Sequence, residues 1–451
     1  KVRVHFGDGR EMLMTQSQTY DVIASEPSNP YRAGIASLLT VEFYQAVAAR
    51  LAVQGVFVQW LHTYDIDADT LRTSYATLAE VFPFIETWIP QHGDLLLVAS
   101  LTPLFYDVEK LETRLRTEPF ATALRRIWRA NGVEGFLSHY VAGDVLARTL
   151  WQQEAPLFNR DHHTLVEFGF ARAVGRGGQV AASDLTQIAE QLKGRWPNIS
   201  GQVDFSRLGE LSLLEVMSGQ PKEDAVLGLS AAAKSRIKAR LAHEQQRYVE
   251  VVKLLQPIQE TLSQPHERLM YAHALARLGL PEAAALIEEF RQAEPATGAF
   301  LHALKLWADK DIEPAATALE QAFALHQQDP WVDPYLVQEA LVIAPEIARR
   351  APAQSLIIFN RLKQPFAAYH VNTQRLHSRF EMALSLDFPK LCVELFSELE
   401  PHVPWQRQVL VARAACYERH QHLLRPIAVE ELALYLAAEN SGFAEAFGSQ
   451  N

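Results

Sequence analysis

Cysteine is scarce in this chain: only Cys392 and Cys416 occur among 451 residues. Two thiols cannot build a disulfide framework or an all-cysteine zinc site, and such scarcity points to a reducing compartment. Long apolar runs are missing too. Leu95–Leu101 is strand-sized, well short of the ~20 residues a membrane span requires. Positive charge is outweighed, with 42 Lys and Arg against 53 Asp and Glu and a formal net charge of −11. Phosphate neutralisation needs a surplus of cations, so a dedicated nucleic-acid binder is disfavoured, while neutral or cationic small partners remain open. No secretory leader is read at Lys1-Val2-Arg3-Val4-His5-Phe6, whose alternation is instead expected of a strand. A start other than Met, inside such a pattern, is expected of a piece of a longer protein.

What is present is ordinary globular material. Hydrophobic residues make up 48% and charged residues 21%, which excludes wholesale disorder. The first 172 residues alternate short β-type runs with amphipathic stretches. Val2–Phe6, Tyr20–Ser25, Gly55–Leu61 and Leu95–Leu101 read as strands, and 40–52 and 68–81 read as helices. Strands alternating with helices predict βαβ units and a parallel sheet. Phe84–Ile89 and Leu95–Leu101, separated by Pro90, Gly93 and Asp94, predict an antiparallel hairpin at one end of it. The glycine cluster at 173–178 lacks the Lys-Ser/Thr of a phosphate-binding loop and reads as a linker. Residues 173–264 then form a helical connection.

From Pro265 onward the pattern is helix, turn, helix. Ala283, Leu286 and Phe290 recur as Ala316, Leu319 and Phe323, a shift of 33 residues, near the tetratricopeptide period of ~34. A weaker echo relates Ala276–Ala283 to Leu384–Leu391. Residues 265–451 are therefore expected to be an all-α, tetratricopeptide-like array whose concave surface could take a protein partner.

The candidate chemistry lies at strand ends. Asp8-Gly9 follows the first run, where open α/β sheets bind ligands. A carboxylate there can accept hydrogen bonds from an adenine amino group, and glycine permits close approach. The second run ends in Ala24-Ser-Glu-Pro-Ser-Asn-Pro30, so Glu26 and Asn29 sit in a loop stiffened by two prolines. The third run ends at Gln59-Trp60. No nucleophile elbow accompanies the Ser and His residues. His163 and Glu167, at i and i+4, lack a recognisable third metal ligand, and no metal is expected. Arg114, Arg116, Arg125, Arg126 and Arg129 lie among acids and read as a solvated face. His420 and His422 read as exposed positions on a helix.

Taken in order, Asp8-Gly9, Tyr20-Asp-Val-Ile23, Glu26-Pro-Ser-Asn-Pro30, Ser37-Leu-Leu-Thr-Val-Glu-Phe-Tyr44 and Gly55-Val-Phe-Val-Gln59 resemble spermidine synthase, the polyamine aminopropyltransferase family. The resemblance covers roughly residues 1–172 and is nearest to bacterial members fused to membrane helices. It implies a class I methyltransferase-like (Rossmann-like) domain lacking its first strands, with decarboxylated S-adenosylmethionine or S-adenosylmethionine as cofactor. It also implies a small amine acceptor such as a polyamine, no metal, and a cytoplasmic position for this part of an inner-membrane-anchored parent. By the same resemblance Asp8, Gly9, Glu26 and Pro30 would contact the cofactor. Glu26 would be the catalytic acid and Asn29 its partner in anchoring the amine. Asn29, Gln59, Trp60 and Tyr64 would line the acceptor site. Two positions depart from the family pattern: Glu26 stands for an Asp, and neutral Asn29 for a second Asp. A lost anion about 4 Å from an ammonium forfeits roughly 1 to 4 kcal/mol of attraction, depending on the dielectric. An inactive scaffold serving a partner-binding helical tail is the alternative reading.

Overall fold

The computed structural model describes residues 2–27, 30–152, 156–174, 176–216, 228–385 and 391–440. The chain divides into two compact units, Lys1–Arg268 and Leu269–Asn451.

The first unit is built on a mixed sheet. Its strands are β1 (Tyr20–Ser25), β2 (Leu51–His62), β3 (Phe84–Trp88), β4 (Asp94–Ser100) and β6 (Tyr140–Ala142), in the order β1-β2-β4-β3-β6. The pair β1–β2 is parallel, and all other neighbours are antiparallel. The hairpin read from the sequence is present as β3–β4, in which Glu86 faces Val98 and Trp88 faces Leu96. A second, two-stranded sheet pairs β5 (Tyr106–Asp107) with β7 (Ile199–Ser200).

Period-two alternation sends successive side chains to opposite faces. On one face Phe57, Leu61, Ile85, Leu95, Leu97 and Ala99 join a core with Phe43, Tyr44 and Phe82. On the other, Trp88, Leu96 and Val98 pack with Tyr106, Val133, Leu137, Tyr140 and Leu208. Both faces of the sheet are thus covered, as in an α/β layered fold. Gly55 is required where the β1–β2 register slips, because a Cβ there would lie 2.9 Å from the Tyr20 carbonyl oxygen. Gly169 lets the helix Leu165–Ala173 meet the helix Ala68–Ala79, since its Cβ would fall 2.1 Å from Thr70 Oγ1.

Three readings of this half change. The sheet is mixed, with β1–β2 the one parallel pair among its described strands, where alternating strands and helices predicted a parallel sheet. Val2–Phe6 is not a strand, and Val2, Val4 and Phe6 are 91%, 72% and 98% exposed. Alternation alone does not make a strand: its backbone donors and acceptors need a ladder partner, and none of the described strands pairs with it. The glycine-rich stretch also differs from a free linker. Gly178 accepts the Ile66 N–H, Val180 donates to Thr63, and Leu185 and Ala189 enter the same core as Phe57. The compact unit accordingly continues through 173–264, rather than closing near residue 172.

Among its described residues the second unit is all-helical. Ala283–Ala293, Pro295–Ala308, Ile312–His326, Pro334–Arg350, Pro352–Arg361, Asn372–Ser385, Leu391–Leu399, Arg407–Arg419 and Arg425–Asn440 follow one another with short connections. Neighbouring helices pack, and so do several helices two apart, as when Pro295–Ala308 meets Pro334–Arg350. Ala316, Leu319 and Phe323 are fully buried, as their spacing implied. Gly298 is needed for close approach, its Cβ falling 2.4 Å from the Arg291 nitrogen. Buried arginines tie later helices together: Arg379 pairs with Glu398 and donates to the Phe359 carbonyl, and Arg413 pairs with Glu400 and Glu431. Most of the echo at Leu384–Leu391 lies outside the described residues. A groove of about 550 Å³ bordered by Leu341, Val342, Phe380 and Val409 runs along these helices.

Cys392 and Cys416 form a disulfide between the last two helical pairs. This runs against the reducing-compartment reading drawn from their scarcity. Sequence separation does not reveal that two thiols meet in space. His420 and His422 are half-buried at a helix end, not exposed. No helix among the described residues is long and apolar enough to cross a membrane.

Candidate functional site

The carboxyl edge of the parallel pair β1–β2 carries two of the expected residues, Glu26 just beyond β1 and Gln59 on β2. Ser25 lies opposite Gln59. Gln59 is fully buried, and its side-chain amide donates to the Ser25 carbonyl at 3.3 Å and the Trp60 carbonyl at 3.0 Å. Its Oε1 accepts from the Tyr44 hydroxyl at 3.4 Å. Tyr44 comes from the helix Val41–Ala48, and complete burial pushes its phenol well above the ordinary tyrosine range. Gln59 thus bridges two strand ends and the following helix and fixes where the chain leaves β1. Glu26 is the next residue, exposed, and flanked by the buried Pro27. Pro30 is buried as well, whereas Asn29 lies outside the described residues.

The segment 35–42 that leads into Val41–Ala48 is held by a polar clasp. Arg10 donates to the Ser37 carbonyl at 2.7 Å and makes a forked pair with Asp161. Thr40 Oγ1 donates to Asp161 at 2.8 Å and accepts the Phe43 N–H as helix cap. The bonds from Arg10, seconded by Thr40, hold the Asp161 carboxyl below its ordinary range. Behind the clasp, Asn159 is fully buried. Its amide donates to the Ala36 and Leu39 carbonyls at 3.2 and 3.0 Å, and its Oδ1 accepts the Val166 N–H.

The other expected site residues are placed as follows. Asp8 is exposed and caps the short helix Gly9–Thr15, its Oδ1 accepting from the Arg10 and Glu11 N–H groups. Nothing lies within 4 Å of a Cβ at Gly9, so packing does not demand glycine there. Trp60 points away from Gln59, because neighbouring strand residues face opposite ways. It meets His62 at 5.5 Å between ring centroids, and His62 stacks on Tyr64 at 4.6 Å and contacts Phe170 at 4.7 Å. Trp60 and Tyr64 therefore belong to an aromatic stack around His62, apart from the Gln59–Ser25 junction. Burial holds the His62 imidazole below its usual pKa, against the pull of Asp65 and Asp94.

One group escaped sequence reasoning entirely. Glu86 is 4% exposed on β3 and accepts from Tyr106 at 2.5 Å and Trp88 at 3.3 Å. Burial raises its carboxyl to about 7, with the hydrogen bonds from Tyr106, Trp88 and Tyr140 opposing the rise. The available signal was an acid inside the apolar run Phe84–Trp88. His163 and Glu167 are not among the clusters able to hold a metal, whereas Cys392, Cys416 and His420 are.

No family model matches the chain. A polyamine aminopropyltransferase from Moorella thermoacetica is 29% identical over 117 residues, 25% of this chain and 41% of that protein. Another, from Desulforudis audaxviator, is 25% identical over 88 residues, 20% of this chain and 32% of that protein. The chain thus spans less than half the length of the curated relatives it matches, and the similarity is to the spermidine-synthase-like group.

Proposed function

We propose that the first unit is an aminopropyltransferase-like domain, taking an aminopropyl group from a decarboxylated S-adenosylmethionine-type molecule and passing it to a small amine such as a polyamine. The carrying observation is Glu26, an exposed acid directly beyond β1, on a junction fixed by the buried Gln59. The partial likeness to polyamine aminopropyltransferases supports the same reading.

In this reading Glu26 attracts the ammonium of the acceptor and takes its proton. The freed amine nitrogen forms a bond to the donor carbon beside the sulfonium. The carbon–sulfur bond breaks, and its electron pair leaves with a neutral thioether. Rigid placement matters, because aligning two reactants contributes more than any single contact. The Arg10–Asp161–Thr40 clasp would keep segment 35–42 in place over that edge. With Asn29 neutral, capture of a dication rests on Glu26 more heavily than with two acids.

Calorimetry on the full chain with methylthioadenosine, decarboxylated S-adenosylmethionine and S-adenosylmethionine tests this directly. Binding of at least one is expected, and silence with all three ends the enzyme reading. Asp8→Ser is the useful companion variant: serine still caps the helix, so weaker binding reports a lost ligand contact.

A further inference from the structure

Cys392, Cys416 and His420 converge although nothing in the proposed transfer uses them. Cys392 lies in the helix Leu391–Leu399 and Cys416 in Arg407–Arg419. His420 follows Cys416 by four residues, so the two share a helical face. One ligand atom from each of the three lies within 4.8 Å of the others. Cys416 is 6% exposed, and His420 Nε2 is buried without a hydrogen-bond partner. A buried imidazole nitrogen left without a partner costs free energy, and two sulfurs beside it are the donors a thiophilic cation prefers.

We propose that these three residues form a redox-gated site for a thiophilic divalent cation, Zn²⁺ being the natural occupant. Tetrahedral zinc at its usual bond lengths places ligand atoms roughly 3.3–3.8 Å apart, so the sulfurs, bonded to each other in the disulfide, must separate on reduction, while all three ligand atoms already lie within 4.8 Å of one another. The disulfide and the metal exclude each other, because the sulfurs must act as thiolates. Opening the site takes two electrons and two protons from a dithiol reductant. The reductant ends as its own disulfide, and Cys392 and Cys416 become thiols. Zn²⁺ then displaces the two thiol protons, His420 supplies a neutral nitrogen, and water fills the fourth position. Reoxidation rejoins the sulfurs and releases the ion.

The test uses the full chain, reduced anaerobically with a dithiol, desalted and titrated with Co²⁺. One equivalent should bind with thiolate-to-cobalt charge-transfer absorption and the intense visible bands of tetrahedral cobalt. Zn²⁺ should bleach both. The oxidised protein should show neither. Cys392→Ser should remove most of the charge-transfer band, and His420→Ala should weaken binding by roughly tenfold or more. Reduced wild-type protein without the cobalt–thiolate signal overturns the site, and this needs no variant to fold. Unchanged affinity in His420→Ala overturns the three-ligand assignment.

Discussion

The two ends of the main sheet carry glutamates with opposite fates. At the β1–β2 end Glu26 is exposed, and apolar side chains such as Val22 and Val53 are 59% and 88% open to solvent. At the β3–β6 end Glu86 is 4% exposed among Trp88, Tyr106 and Tyr140. An acid in water stays charged and can meet a cation. An acid sealed under aromatic rings is driven toward its neutral form. The difference lies in which strand ends are covered, not in residue type. It leaves the acid at the open end accessible to solvent and makes the closed end a structural junction whose charge depends on pH.

The largest expected effect removes a side chain from the core on the face opposite Trp88 and Tyr140. Phe57, fully buried on β2, stacks on Phe82 at 5.8 Å between centroids. Phe57→Ala should cost about 3–5 kcal/mol, read by urea unfolding. Asn159→Ala should follow at roughly 2–4 kcal/mol, because it strands the Ala36 and Leu39 carbonyls and the Val166 N–H. Proteolysis should then be fastest near segment 35–42.

The closed end is tested by pH. The folded Glu86 carboxyl sits at about 7 and its ordinary value is 4.5. Its contribution to stability is therefore complete below pH ~4.5, falls as pH rises toward 7, and is gone above. The loss is on the order of 3 kcal/mol. Glu86→Gln should flatten that slope and leave the protein more stable than wild type at pH 8. An unchanged pH profile would place Glu86 with Glu26 as a solvent-facing acid. The smallest stability effect belongs to the open end: Glu26→Gln should change stability by less than about 0.5 kcal/mol while abolishing the proposed aminopropyl transfer. A large stability loss there would erase the contrast.

The residues made some of this legible. Tyr20–Ser25, Phe84–Trp88 and the core of β2 announced themselves by alternation, and the hairpin by its turn residues. The buried positions Ala316, Leu319 and Phe323 followed from helical spacing. Glu26 beyond a strand end was readable as a candidate acid. The Val2–Phe6 run misled, because alternation carries no information on whether a ladder partner exists. The resemblance put Trp60 and Tyr64 in the acceptor site with Gln59; strand alternation turns Trp60 to the other face, and both rings join the stack around His62.

By itself the sequence determined the periodicities: how apolar side chains are spaced along each stretch, and so which face of a formed element turns inward. Those are local properties, set by backbone geometry and side-chain spacing. Only the tertiary structure decided the long-range meetings. Arg10 reaches Asp161 across 151 positions, and Cys392 meets Cys416 and His420 from separate helices. Tyr106 and Tyr140 close over Glu86 from separate strands. Such contacts follow from how layers pack around a core, and no local pattern encodes them. They are also what gives three acids in one molecule three different environments: solvent for Glu26, a guanidinium for Asp161, and aromatic burial for Glu86.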